Sequence, residues 1–217
     1  MRTLYLHGFA SGPSSTKGVA FERHFAARGR QGAAAIEIER LNLRVPSFEH
    51  LRLSAMIETV RARVTDDTVI IGSSLGGLTA ARVAEGEPRV RALVLLAPAF
   101  QLAQRWRAML GTAFADWERT GWREVTDYTT GQPARVDFGF VEEAARIDVG
   151  FPRITCPTLI LHGRGDETVP IERSRDFAAV TPSARLIELD DGHELTHSLP
   201  TLLAETERFL ADVEARR

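Results

Sequence analysis

The stretch Gly72-Ser73-Ser74-Leu75-Gly76 most constrains what this chain can fold into. It is a G-x-S-x-G pentapeptide with an apolar run, Val69-Ile70-Ile71, directly before it and a helical-looking segment, Leu75 to Glu85, directly after it. A strand that becomes a helix within so few residues needs a sharp, strained turn at the central serine and room beside it. Gly72, Gly76 and Gly77 supply that room, because glycine places no side chain between the two elements. A serine held in this way stands exposed at the carboxyl end of a sheet. The N–H of the next residue, Leu75, opens a helix N-terminus, where aligned backbone dipoles favour negative charge.

The rest of the chain offers partners for Ser74. A serine hydroxyl becomes a nucleophile when a base takes its proton, and the base needs a third group to fix its tautomer. The apolar run Pro157 to Leu161 is followed by His162-Gly163-Arg164-Gly165-Asp166, which puts Asp166 in a loop after a strand. Arg185 to Leu189 reads as a further strand, followed by Asp190-Asp191-Gly192-His193. The order Ser74, Asp166, His193 is that of the α/β-hydrolase fold and not that of chymotrypsin or subtilisin. Ser74 is therefore the expected nucleophile, His193 the base and Asp166 the orienting carboxylate. His197 is the rival base, and Glu167, Asp190 and Asp191 are the rival acids. Ser73 is a structural neighbour, and Cys156 has a packing role.

Strand and helix patterns alternate along the chain. Arg2 to His7, Ala34 to Leu43, Thr68 to Gly72 and Val90 to Ala97 read as strands. Lys17 to Arg28, Phe48 to Val64 with Ser47 as its N-cap, and Leu75 to Glu85 read as helices. Near-continuous apolar strands in such an alternation predict a mostly parallel central sheet with helices on both faces. The regularity breaks after Pro98. Residues 99–150 hold all three tryptophans, a helical stretch from Gln101 to Thr120, and a hairpin pattern from Glu124 to Phe138 around Thr-Gly-Gln-Pro. They read as a lid inserted at about 99–150 into a single domain spanning 1–217. Ile171 to Val180 and Leu202 to Glu214 close the pattern as helices.

The bulk properties exclude several partners. A net charge of −2 gives no electrostatic reason for nucleic acid or an anionic membrane. No apolar run approaches the roughly 20 residues that span a bilayer, and the first residues lack the apolar length of a secretory signal. A cytoplasmic protein with no membrane span is the expectation. His24, His50 and His162 have no metal-ligand spacing with other ligand-type residues, so no metal and no cofactor are expected.

A developing oxyanion needs a second N–H besides that of Leu75. His7-Gly8-Phe9 follows the first strand, where this fold places that loop, so the N–H of Phe9 is the second donor. His7 itself reads as a strand-end histidine bonded to backbone. Phe9, Trp106, Trp117 and Trp122 are the candidate walls of a substrate pocket. The competing reading makes most of the aromatic residues of 99–150, Tyr128, Phe138 and Phe140 included, a small core of the inserted segment.

The run Tyr5-Leu6-His7-Gly8-Phe9-x-Ser11-x-Pro13-x-Ser15-x-Lys17, together with Gly72-Ser73-Ser74-Leu75-Gly76-Gly77 and the Gly192-His193 loop, resembles the small YqiA/YcfP-type esterases of the α/β-hydrolase superfamily. The resemblance implies a serine-dependent hydrolase of carboxylic esters that needs no cofactor, with Ser74, Asp166 and His193 in the roles given above. The chain departs from that family in its longer inserted segment. The reading is a serine esterase acting on a small-molecule ester through an acyl-enzyme. A thioesterase or an amidase would use the same three groups. Six arginines against eight acids in residues 99–150 give a coenzyme A ester no cationic rim there. A non-catalytic ligand-binding protein on the same fold is the alternative of another class.

Overall fold

The computed structural model describes residues 2–30 and 36–216. The first half runs β1 (Arg2–Leu6), α1 (Thr16–Arg30), β2 (Ile38–Leu41), α2 (Leu53–Arg61), β3 (Thr68–Ser73), α3 (Leu75–Ala84) and β4 (Val90–Leu96). An inserted segment follows: α4 (Leu102–Leu110), α5 (Thr112–Thr120), β5 (Trp122–Asp127), β6 (Gln132–Asp137) and α6 (Gly139–Ile147). The chain closes with β7 (Thr158–Gly163), α7 (Glu172–Val180), β8 (Ala184–Leu189) and α8 (Leu199–Ala215).

Six strands form one sheet in the order β2-β1-β3-β4-β7-β8, with every neighbouring pair parallel. β3 and β7 are buried at every position, which is why their sequences are apolar without alternation. Phe21 and Phe25 of α1 and Leu202 and Leu210 of α8 bury one face of the sheet. α2, α3 and Phe177 of α7 bury the other. The strand order reverses between β1 and β3, so the loops leaving those two strands diverge. A crevice at the carboxyl ends of the strands is the natural result.

The sheet strands fall close to the apolar runs of the sequence. The differences have local causes. β2 is the four-residue remnant of the strand expected over Ala34–Leu43, whose first two residues lie outside the described residues. The helix expected over Phe48–Val64 is confined to Leu53–Arg61. Arg52 is extended (φ −139°, ψ 126°), and its N–H donates to Val45 O at 3.0 Å, so the chain before it is loop. Ser47 accepts the N–H of His50 at 3.2 Å and caps that turn, not the helix. The helix expected over Gln101–Thr120 is two helices, parted at Gly111 (φ 52°, ψ −117°). α6 is a third helix in the insertion, with no counterpart in the sequence reading.

The insertion shares the core of the α2–α3 face, through Trp106, Phe114, Trp117, Val136 and Phe140. Charged groups tie it down at its edges. Arg44 reaches Asp127 with two hydrogen bonds (2.5 and 3.1 Å), and Arg52 reaches Asp137 with two (2.7 and 2.9 Å). At its root, Arg82 of α3 meets the buried Asp148 at 2.9 Å. Among the described residues no helix is long and apolar enough to cross a membrane.

Candidate active site

Ser74 stands between β3 and α3 with φ 53° and ψ −115°. A non-glycine residue there stores strain of roughly 1–3 kcal/mol, and the surroundings hold it. Its N–H donates to Leu96 O at 2.8 Å, and its carbonyl accepts the N–H groups of Gly77 (2.9 Å), Ala99 (3.0 Å) and Leu78 (3.1 Å). The helix comes close to the strands behind the turn. A methyl group on Gly76 would lie 2.3 Å from Leu6 O, and one on Gly72 would lie 2.4 Å from Gly76 O.

His193, in the loop after β8, points its Nε2 at Ser74 Oγ, 3.0 Å away. Its Nδ1 lies 2.7 Å from Asp166 Oδ2. A carboxylate only accepts, so Nδ1 carries the proton and Nε2 is left to accept the serine proton. Asp166, in the loop after β7, is buried, and burial alone would raise its pKa. Hydrogen bonds from His162 and His193 outweigh this and hold the carboxyl well below the usual range. Its second oxygen accepts the N–H groups of Val169 (2.7 Å) and Thr168 (2.9 Å). The carboxylate is thereby fixed in both charge and orientation.

His162 is a part of this site that the sequence reading passed over. It is fully buried at the end of β7. Its Nε2 lies 2.8 Å from Val169 O and 3.1 Å from Asp166 Oδ2, and both partners are acceptors, so Nε2 donates. Its Nδ1 meets Ser174 Oγ of α7 at 2.7 Å. The available signal was the spacing: His162 and Asp166 bracket one short loop.

The rival groups lie elsewhere. The His197 side chain is 91% exposed and touches Asp191, not Ser74. Asp190 pairs with Arg164 at 2.6 Å, Asp191 accepts the N–H groups of Gly192 and Ser198, and Glu167 is exposed. His7 is buried and accepts the N–H of Leu43 at its Nε2 (3.0 Å), so its Nδ1–H donates to Gly8 O (2.9 Å). It ties the loop after β1 to the chain leaving β2.

A cavity of about 680 Å³ opens over Ser74 and His193, and Gly8, Phe9 and Leu75 border it. A methyl on Gly8 would lie 3.4 Å from Ser74 Cβ, which places the His7–Phe9 loop directly beside the serine. Leu75 is the first residue of α3. Trp106 lines the cavity, with its ring 5.0 Å from that of Phe9. Trp117 does not reach it. Trp117 is 2% exposed, its indole N–H donates to Val136 O, and it stacks behind Trp106 as core of the insertion. Trp122 is also away from the cavity, because the hairpin turns it outward between His50 and the guanidinium of Arg135. The charged side chains on the cavity wall are Lys17, Arg105 and Glu194. Burial pulls the Arg105 guanidinium down to about 10, so it remains a cation at neutral pH.

Comparison with known proteins agrees with this architecture. Mouse palmitoyl-protein thioesterase ABHD10, a mitochondrial protein by its name, is 32% identical over 127 residues, 55% of this chain. The match spans 42% of that relative, less than half its length. The solved structure of mouse ABHD10 superposes with a TM-score of 0.79 at 21% identity, over 97% of this chain and 90% of that one. Est1E from Butyrivibrio proteoclasticus, solved with ferulic acid bound, gives 0.78 at 22% identity, over 98% of this chain and 89% of that one. At such identities the likeness is one of fold, and the fold is that of α/β hydrolases. Residues 2–209 match the family described as "Uncharacterised protein family (UPF0227)". The chain is therefore a member of the UPF0227 family built on the α/β-hydrolase fold.

Proposed function

We propose that this chain is a serine hydrolase of carboxylic esters, with Ser74 as nucleophile, His193 as base and Asp166 as the group that orients the base. The observation that carries the reading is the unbroken hydrogen-bond path from Asp166 through His193 to a serine in a strained turn. Ser74 Oγ attacks the ester carbonyl while its proton passes to His193 Nε2. The N–H groups of Phe9 and Leu75 receive the oxyanion. The tetrahedral adduct collapses, His193 gives the proton to the leaving alcohol, and the acyl group stays on Ser74. Water then loses a proton to His193 and adds to the acyl carbon, and the proton returns to Ser74 as the acid leaves. The inserted segment acts as a lid over this cavity, through Trp106 and Tyr128.

A thioester substrate is the second reading, favoured by the name of the mouse relative. The same groups serve it, and matched esters and thioesters of one acyl group separate the two. Ser74→Ala is expected to lower kcat on p-nitrophenyl esters by about 10⁵-fold. A fluorophosphonate is expected to label the wild type at Ser74 and leave the variant unlabelled. A folded variant with near wild-type turnover overturns the reading. A wild-type protein that takes no label favours the ligand-binding alternative.

A further inference from the structure

Eight residues of the run from Tyr5 to Lys17 border the cavity, and among them Tyr5, Ser15 and Lys17 take no part in the steps above. Tyr5 is 1% exposed, with its ring against Phe21 on the α1 face of the sheet, and it lines the cavity. Ser15 stands at the start of α1, where its carbonyl accepts the N–H of Val19. Among the described residues, neither the Tyr5 hydroxyl nor Ser15 Oγ has a hydrogen-bond partner, and both oxygens are buried. The hydroxyls of Ser15 and Ser73 come near enough to influence Tyr5, without the geometry of a hydrogen bond. Buried hydroxyls left unpaired are costly, which makes them good donors to an arriving acceptor.

Lys17, in the first turn of α1, is 9% exposed and lines the same cavity. Two of its three N–H donors go to Glu194, one to the carbonyl at 2.7 Å and one to the carboxylate at the longer 3.5 Å, which leaves one for an arriving anion. The Glu194 carboxylate is 3.5 Å away and 76% exposed, so solvent screens it more than it does the lysine. The first turn of α1 has no acidic residue, so its dipole adds to the positive potential. The polar wall comes from the α1 side of the sheet. Phe9, Leu102 and Trp106 give the cavity its apolar surface, and Arg105 beside them on α4 has its guanidinium engaged by Phe100 O and Thr168 O.

We propose that Lys17 Nζ, Tyr5 Oη and Ser15 Oγ form an anion subsite that holds a carboxylate on the substrate, remote from the ester carbonyl attacked by Ser74. This rests on the reading of Ser74 as nucleophile and narrows it to esters with one anionic end and an apolar body. An ammonium and two hydroxyls can together serve the lone pairs of two carboxylate oxygens.

The test compares mono-p-nitrophenyl esters of glutaric, adipic and pimelic acids with neutral straight-chain p-nitrophenyl esters of equal carbon number. The readout is the ratio of kcat/KM, anionic over neutral, at the best chain length. Lys17→Met is expected to lower that ratio about tenfold, and Tyr5→Phe about threefold. Tyr5→Phe removes only an oxygen that has no protein partner, so it tests the subsite even where Lys17→Met fails to fold. A ratio unchanged in the folded variants overturns the subsite and leaves the nucleophile in place. Calorimetry of free adipate and of inorganic phosphate on the Ser74→Ala protein reads the subsite without turnover. Adipate binding that Lys17→Met abolishes supports it, even if no ester is hydrolysed and the nucleophile reading falls. Phosphate binding tighter than adipate overturns the choice of a carboxylate.

Discussion

Ser74 and Gly111 share one backbone conformation, φ 53° and ψ −115° at the first, φ 52° and ψ −117° at the second. Each stands immediately before a helix, α3 in the sheet layer and α5 in the insertion. The conformation is unfavourable for any residue with a Cβ. The insertion meets this with glycine, in open space, with nothing within 4 Å of where a Cβ would lie. The sheet layer meets it with a serine, and holds that serine through its N–H, its carbonyl and the strands behind it. A turn that has only to reverse the chain uses the residue that fits without strain. The turn that sets a serine oxygen beside His193 keeps the strain and is built around it.

The largest effect is expected where space, not dihedral angle, is the constraint. Gly76→Ala would drive a methyl to 2.3 Å from Leu6 O and 2.6 Å from His7 O. Both are backbone atoms at the end of a buried strand, and neither can move without shifting β1. The expected cost exceeds about 3 kcal/mol, the upper end of ordinary overpacking. In a domain of this size that lowers Tm by at least about 6 °C, or yields no soluble protein. Thermal unfolding of the purified variant measures it. A Gly76→Ala protein that melts with the wild type would mean that the turn tolerates a looser strand–helix contact than the structure has.

The same contrast governs what was legible in the sequence. β3, β4 and β7 stand out because strands buried on both faces must be apolar throughout, a demand made residue by residue. The turn at Ser74 was legible because close packing requires small residues at fixed spacing. The insertion was less so, since its helices are short and held partly by distant charges. Nothing near Arg52 announces that it extends to reach Asp137, which ends the apparent helical periodicity of 48–64 at Leu53. Gly111 is visible in the sequence, but its role as a break depends on a dihedral angle. Trp122 and Trp117 are candidate pocket walls by residue type, but the hairpin turns Trp122 toward His50 and Arg135, and α5 packs Trp117 behind Trp106. His162 and Lys17 gain their surroundings only from folding: Ser174 lies twelve residues beyond the first, and Glu194 lies far along the chain from the second.

An intermediate effect tests the insertion side of the comparison. Gly111→Ala meets no steric obstacle, so the whole cost is the dihedral strain of the new Cβ, about 1–3 kcal/mol. The expected drop in Tm is a few degrees, smaller than for Gly76→Ala. Turnover of short esters should fall less than stability does, because Gly111 does not border the cavity over Ser74. Unfolding and p-nitrophenyl acetate turnover, measured on the same preparation, separate these. A variant as stable as the wild type would mean that the joint between α4 and α5 takes up a different turn at little cost, and that its glycine is incidental.

The smallest effect isolates the strain at Ser74 itself. Ser74→Ala and Ser74→Gly both remove the hydroxyl and its contact with His193, so their difference excludes chemistry. What remains is a Cβ held at φ 53°. Glycine relieves that strain, of roughly 1–3 kcal/mol, and gives back about 0.5–1 kcal/mol through the greater freedom of its unfolded chain. The net expectation is that Ser74→Gly is more stable than Ser74→Ala by about 1 kcal/mol, which is about 2–4 °C in Tm. Both variants should be equally inactive. Equal melting temperatures would mean that the turn relaxes once the oxygen is gone. In that case the hydrogen bond to His193 maintains the conformation, and the backbone contacts to Leu96, Gly77 and Ala99 are not sufficient to hold it.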